Sequence, residues 1–141
     1  MTGTGSTPQT TSEPRSLVGR RWPTLAGLGF AGLIAVDLMS GVELAPVLAA
    51  SAAVYLGAAA LRDRPPLQTA ALLGFGVAAG AALLIDPELG AYLVAAGLLG
   101  HAAWDAYHHR VNRVVVRSLA EFCLALDTAL AVVIVIVTMR Q

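Results

Sequence analysis

Apolar residues in this chain come in long unbroken runs, neither alternating every second residue nor striped at a 3.6-residue period. Five such runs cover about 23–40, 44–61, 67–85, 89–109 and 117–139. A bilayer core takes about 20 apolar residues per helix, so the pattern predicts an all-α polytopic transmembrane bundle of about five helices. The runs are rich in Ala, Leu and Gly and lack the inside–outside alternation of a membrane barrel. Each ends at a polar or helix-breaking stop: Ser40-Gly41 with Glu43, the stretch from Arg62 to Pro66, Asp86-Pro87-Glu88, and the segment from Arg110 to Arg117. Pro23 and Pro46 fall at the openings of the first two windows, where proline costs least. Residues 1–22, rich in Thr, Ser, Gly and Pro, read as a disordered tail ahead of a transmembrane domain at 23–141. Arg20-Arg21 before the first run resembles the start of a signal peptide, but no small-x-small cleavage site follows, so a retained helix is expected.

Composition agrees with the runs. The 141 residues are 57% hydrophobic and 13% charged, with a mean hydropathy of +0.71, against about 25% charged in an ordinary soluble domain. Nine acids balance nine bases, and every base is arginine. No basic field exists to hold a nucleic-acid backbone. The single cysteine, Cys123, excludes an internal disulfide.

The arginines give orientation. Arg15, Arg20 and Arg21 precede the first window, Arg62 and Arg64 join the second to the third, and Arg110, Arg113 and Arg117 join the fourth to the fifth. The alternate loops carry Glu43, Asp86 and Glu88, and only Arg140 departs from the pattern. The positive-inside rule then places the N-terminus in the cytoplasm and the protein in a bacterial cytoplasmic membrane. Gly76 and Gly80, and the four-residue spacings Ala49, Ala53, Gly57 and Gly74, Ala78, Ala82, offer small-residue faces on which helices or a second copy of the chain could pack. General enrichment in alanine and glycine, from which such spacings arise by chance, is the favoured explanation over a dedicated packing face.

Polar chemistry gathers in the last two windows. The run GLLGHAAWDAYHHR holds His101, Asp105, His108 and His109; at 100° per residue they span roughly −20° to +80° around His101, one helix face. The following window opens RSLAEFCLALDT, with Glu121 and Asp127 expected on one polar side. A short connection makes the two helices an antiparallel hairpin. Counted inward from Arg110 and Arg117, Asp105 and Glu121 lie about 6–8 Å deep and His101 and Asp127 about 14–15 Å deep. Three unpaired acids at such depths would cost on the order of 7–10 kcal/mol, so protons, cationic side chains, water or a metal ion must neutralise them.

Several uses of this cluster are open. As a metal site, His101, Asp105, His108, His109, Glu121 and Asp127 are the candidate ligands for zinc or iron. Asp105, Glu121 and Asp127 are then the candidate catalytic carboxylates of an enzyme acting on a lipid or isoprenoid substrate. A His/acid ladder also suits a proton or cation relay, although the outer half of the bundle offers only Asp37. A purely structural hairpin would use Arg117 with Glu121, Asp105 with His108, His109 or Arg113, and His101 with Asp127. Pairing with a partner subunit of a membrane complex is the remaining use. Trp104 and Tyr107 read as interfacial aromatics, and Cys123 as a small buried hydrophobe.

The run H-x3-D-x2-H-H partly resembles the histidine boxes of membrane di-iron desaturases and hydroxylases, but those need many more than the three histidines present. From Gly100 to Asp127, the pattern H-x-x-W-D-x-x-H-H, an arginine-rich turn, then E-x-C-x3-D resembles uncharacterised small bacterial multi-pass membrane proteins. That likeness implies a membrane bundle and no particular activity.

Overall fold

The computed structural model describes residues 17–38, 65–112 and 114–140. Four helices and no strand are found among the described residues: α1 (Leu17–Leu38), α2 (Pro65–Ala82), α3 (Pro87–Val111) and α4 (Arg117–Thr138). The window at 44–61 lies outside the described residues. One described helix, Arg117–Thr138, is long and apolar enough to cross a membrane by length and composition, and Pro66–Ala82 is a shorter apolar helix.

Helix ends follow local chemistry. Pro87 opens α3, where its missing N–H costs nothing, and Asp86 caps that end, its Oδ1 accepting from the backbone N–H of Glu88 (3.0 Å) and Leu89 (3.3 Å). At the other end Asn112 takes the left-handed conformation, φ 49°, and its N–H donates to the His108 carbonyl at 2.8 Å. α1 begins at Leu17, six residues ahead of the expected span, so helix continues through Arg20 and Arg21 and Pro23 sits inside it. Pro23 therefore has no hydrogen for the carbonyl four residues back, a cost of about 3 kcal/mol in a helix interior, which packing of α1 on α4 must offset.

α4 is the centre of the arrangement. It packs against α3 on one side and α1 on the other, and α2 packs against α3. Contacts fix the directions. His101 meets Asp127 and His109 meets Arg117, so α3 and α4 are antiparallel; Gln68 meets His108 and Phe75 meets His101, so α2 and α3 are antiparallel too. Thr24 meets Glu121, and Gly27 lies against Phe122 and Ala125, so α1 and α4 run parallel. Consequently Arg20, Arg21, Arg110 and Arg117 gather at one end, and Asp86 and Glu88 lie at the other.

A core of Ala31, Ala79, Val94, Leu98, Leu126, Leu130, Ala131 and Ile134 joins all four helices. Close approach is built on two glycines. A Cβ at Gly27 would lie 2.4 Å from the Phe122 carbonyl oxygen, and one at Gly90 would lie 2.5 Å from the Ala82 carbonyl oxygen. The expected packing face of α2 is different: at Gly74, Gly76 and Gly80 an added Cβ meets nothing within 4 Å among the described residues. Large apolar side chains also face outward, with Leu84 88%, Val77 71% and Leu33 65% exposed.

Candidate metal centre

The deepest polar groups of α3 and α4 meet. His101, Asp105 and Asp127 are each 0% exposed. The His101 Nδ1 lies 2.6 Å from Asp127 Oδ2 and 3.3 Å from Asp105 Oδ2. His101 and Asp105 share a face because they are one turn apart on α3, and Asp127 arrives from α4 at the same depth, as antiparallel counting from the connecting turn requires. A nitrogen donor and two carboxylate oxygens thus lie within 4.8 Å of one another. Asp127 Oδ1 is buried without a hydrogen-bond partner among the described residues. Phe75, on α2, packs against the His101 ring in a T-shaped pair, with centroids 5.1 Å apart and planes at 76°.

The other three expected contributors, His108, His109 and Glu121, are placed differently. His108 is buried, but its Nδ1–H donates to the Trp104 carbonyl at 2.9 Å and its Nε2 stands 3.2 Å from Gln68 Nε2. The carbonyl can only accept, so Nδ1 carries the hydrogen and Nε2 receives one from the Gln68 amide. Both ring nitrogens are therefore engaged, which withdraws His108 from metal ligation in this arrangement. His109 points the other way, its Nδ1–H donating to the Arg117 carbonyl at 3.1 Å and closing the α3–α4 turn.

Glu121 also faces away from the triad. It accepts from the Thr24 hydroxyl and lies 4.0 Å from the Arg21 guanidinium, both on α1. Six residues separate Glu121 from Asp127, which on a helix is about 120° of rotation, enough to send one acid to α1 and the other to α3. The expected convergence thus reduces to His101, Asp105 and Asp127. Nor is Glu121 matched with Arg117, its expected i,i+4 partner; the ion pair in the structure is with Arg21. Cys123 is buried and stays outside the metal-sized group.

Two contributors come from helices whose sequence drew no attention to chemistry. Gln68, 1% exposed, stands alone as an amide in the apolar run PPLQTAALL, a signal that could have been read. Thr24 gave no such signal, since threonine is common in apolar helices.

Chemically, the triad is a small nitrogen–oxygen donor set. Tetrahedral zinc with ligands at about 2.0–2.2 Å needs donors about 3.3–3.6 Å apart. The spacing from His101 to Asp105 already fits, while the 2.6 Å contact to Asp127 has to open by somewhat under 1 Å. Comparison of the chain with protein-family models, with curated proteins and with solved structures gives no match.

Proposed function

We propose that this chain is a multi-pass helical protein of the bacterial cytoplasmic membrane, built around a divalent-metal centre on His101, Asp105 and Asp127. The observation that carries the centre is the convergence of one imidazole nitrogen and two carboxylates, wholly buried, within 4.8 Å. Two carboxylates and a neutral imidazole sum to −2, and an uncompensated charge of that size inside a protein is prohibitively costly. One divalent cation cancels it. Zinc and ferrous iron are the ions suited to such a set, with an open position left for water or a substrate oxygen.

Membrane residence is supported by the apolar exterior and by the collection of arginines at one end of the helices. Leu84, Val77 and Leu33 are three of many large apolar side chains exposed on the helices, an exposure that lipid favours. Reading the arginine end as cytoplasmic follows the positive-inside rule.

Complete burial of the triad bears on its use. A small ion reaches such a centre more readily than a lipid headgroup does, so the reading supported best is a cation-binding membrane protein. Chemistry on a lipid-like substrate at the same ion would require the helices around Phe75 to part. A second reading is favoured by one specific contact: the His101 Nδ1 sits between two carboxylate oxygens, the arrangement of a proton-holding site, and two protons neutralise the triad as fully as one metal ion does.

Metal analysis of the full chain purified in detergent separates these readings. The metal reading expects close to one zinc or iron per chain, lost in His101→Ala and in Asp127→Asn. Absence of metal after reconstitution with either ion, together with proton flux in liposomes abolished by Asp127→Asn, would establish the proton reading instead.

A further inference from the structure

A second site lies on another face of α4, about 120° round the helix from the metal centre. Between α1 and α4 runs a groove of about 750 Å³, within the 300–1,000 Å³ common for ligand pockets. Its two ends differ in chemistry. Arg21, Thr24 and Glu121 form the rim at the arginine end, with His109 of α3 beside them, and Leu28, Ala129 and Val132 line the groove further along. Such a gradient, charged at the interface and apolar towards the membrane centre, matches an amphiphile lying parallel to the helices.

The charges at the rim narrow the headgroup. Arg21 has 76% of its side chain exposed and presents a guanidinium suited to a phosphate oxygen. Glu121 is mostly buried, with 21% exposed, and is fixed in place by the Thr24 hydroxyl and by Arg21 at 4.0 Å. A purely anionic headgroup would meet that carboxylate with repulsion. A headgroup carrying a phosphate beside a hydrogen-bonding ammonium meets both charges with complements. Basic groups at the cytoplasmic ends of membrane helices are an established setting for phospholipid headgroups; the acid beside the base is the specific feature here.

We infer that the α1–α4 groove binds a phospholipid whose headgroup bears a primary ammonium, the phosphate on Arg21, the ammonium on Glu121, and one acyl chain along Leu28, Ala129 and Val132. This inference rests on the membrane reading above and is independent of the metal centre.

The test uses the full chain in nanodiscs or detergent, with phosphatidylethanolamine, phosphatidylcholine and phosphatidylglycerol as probes and native mass spectrometry as readout. Detergent-free partitioning is measured first, because a chain that stays in the aqueous phase would overturn the membrane reading itself rather than the lipid specificity. Retention of phosphatidylethanolamine is expected to exceed that of phosphatidylcholine, which has no ammonium hydrogen to donate, by about tenfold, the size of one charge-assisted hydrogen bond. Glu121→Gln should abolish that preference while leaving phosphatidylglycerol bound at least as well; Arg21→Gln should weaken all three. Ala129→Trp, which fills the groove without touching the rim, should displace lipid, and α-helical circular dichroism would verify that it folds. Equal retention of the ethanolamine and choline lipids by the unaltered chain would overturn the proposal. So would a preference that survives Glu121→Gln, or a dimer whose loss in Ala129→Trp shows a second copy in the groove.

Discussion

The His101 Nδ1 and the Asp127 Oδ2 stand 2.6 Å apart across the α3–α4 interface, both fully buried. Neither residue has an aqueous alternative. The contact therefore fixes the register of the two helices as well as gathering the donors, because a slide of one turn along either helix, about 5.4 Å, would strand two ionisable groups in an apolar core. This dual role gives the first prediction. Asp127→Ala alone should destabilise the chain by about 3–5 kcal/mol, the usual cost of breaking a buried pair. The triple replacement of His101, Asp105 and Asp127 by leucine should recover most of that loss while binding no metal. Unfolding in mixed micelles, with metal content measured on the same samples, checks both outcomes.

Gln68 and His108 form a separate buried node one helix over, with amide and ring nitrogens 3.2 Å apart and the other ring nitrogen bonded to the Trp104 carbonyl. Gln68→Leu leaves His108 Nε2 without the Gln68 amide donor. The expected cost is about 1–3 kcal/mol, that of losing a partner from a buried polar group. Trp104 reports on the same event, because its ring centroid lies 4.9 Å from that of His108. A change in Trp104 fluorescence is expected in a Trp22→Phe background, with metal content unchanged.

The contact between α1 and α4 is set by Gly27. A Cβ there would press to 2.4 Å from the Phe122 carbonyl oxygen, which is backbone and cannot swing away, and to 3.2 Å from the Ala125 Cβ. Gly27→Ala should therefore push the helices apart and cost about 1–3 kcal/mol, in the range of overpacked cores. Gly29, two residues along, has nothing within 4 Å of an added Cβ among the described residues, so Gly29→Ala should be neutral or slightly stabilising, as alanine favours helix over glycine. Comparing the two variants by thermal unfolding distinguishes steric conflict from helix propensity.

Much of the α3–α4 hairpin was legible in the chain. The bounds of α3 and α4 follow from Asp86-Pro87 and from the arginine-rich turn, and a short turn leaves an antiparallel hairpin little choice of register, so the meeting of His101 with Asp127 could be counted from the sequence. The neighbours of that hairpin could not. Helical periodicity places Glu121 about 120° from Asp127, but nothing local says that α1, ninety-seven residues earlier in the chain, would take the Glu121 face. The same holds for His108, whose partner Gln68 lies forty residues away. Arg20-Arg21 and Pro23 read as features before a helix, because proline is tolerated at helix openings; the helix instead starts at Leu17, and contacts with α4 hold the segment helical beyond what the local signal predicts.

Competition between metal and protons supplies the last prediction. With a neutral imidazole the triad carries −2, so the metal-free centre reaches neutrality by taking two protons: one completes the imidazolium and one sits on a carboxyl. Metal ligation through Nδ1 requires that nitrogen bare and both carboxylates ionised, leaving the remaining ring hydrogen on Nε2. Binding one divalent ion therefore expels two protons, and by linkage the apparent affinity must rise with pH. The limiting slope is about 100-fold per pH unit where both protons are displaced, falling as the metal-free triad loses protons on its own. Isothermal titration of zinc into the detergent-solubilised chain at pH 6, 7 and 8, repeated in buffers of different ionisation enthalpy, counts the protons directly. Replacing Asp105 by Asn should reduce the count by one, since a single carboxylate with neutral His101 needs only one proton for neutrality. A proton count of zero at pH 6 in the unaltered chain would place the ion elsewhere than on His101, Asp105 and Asp127.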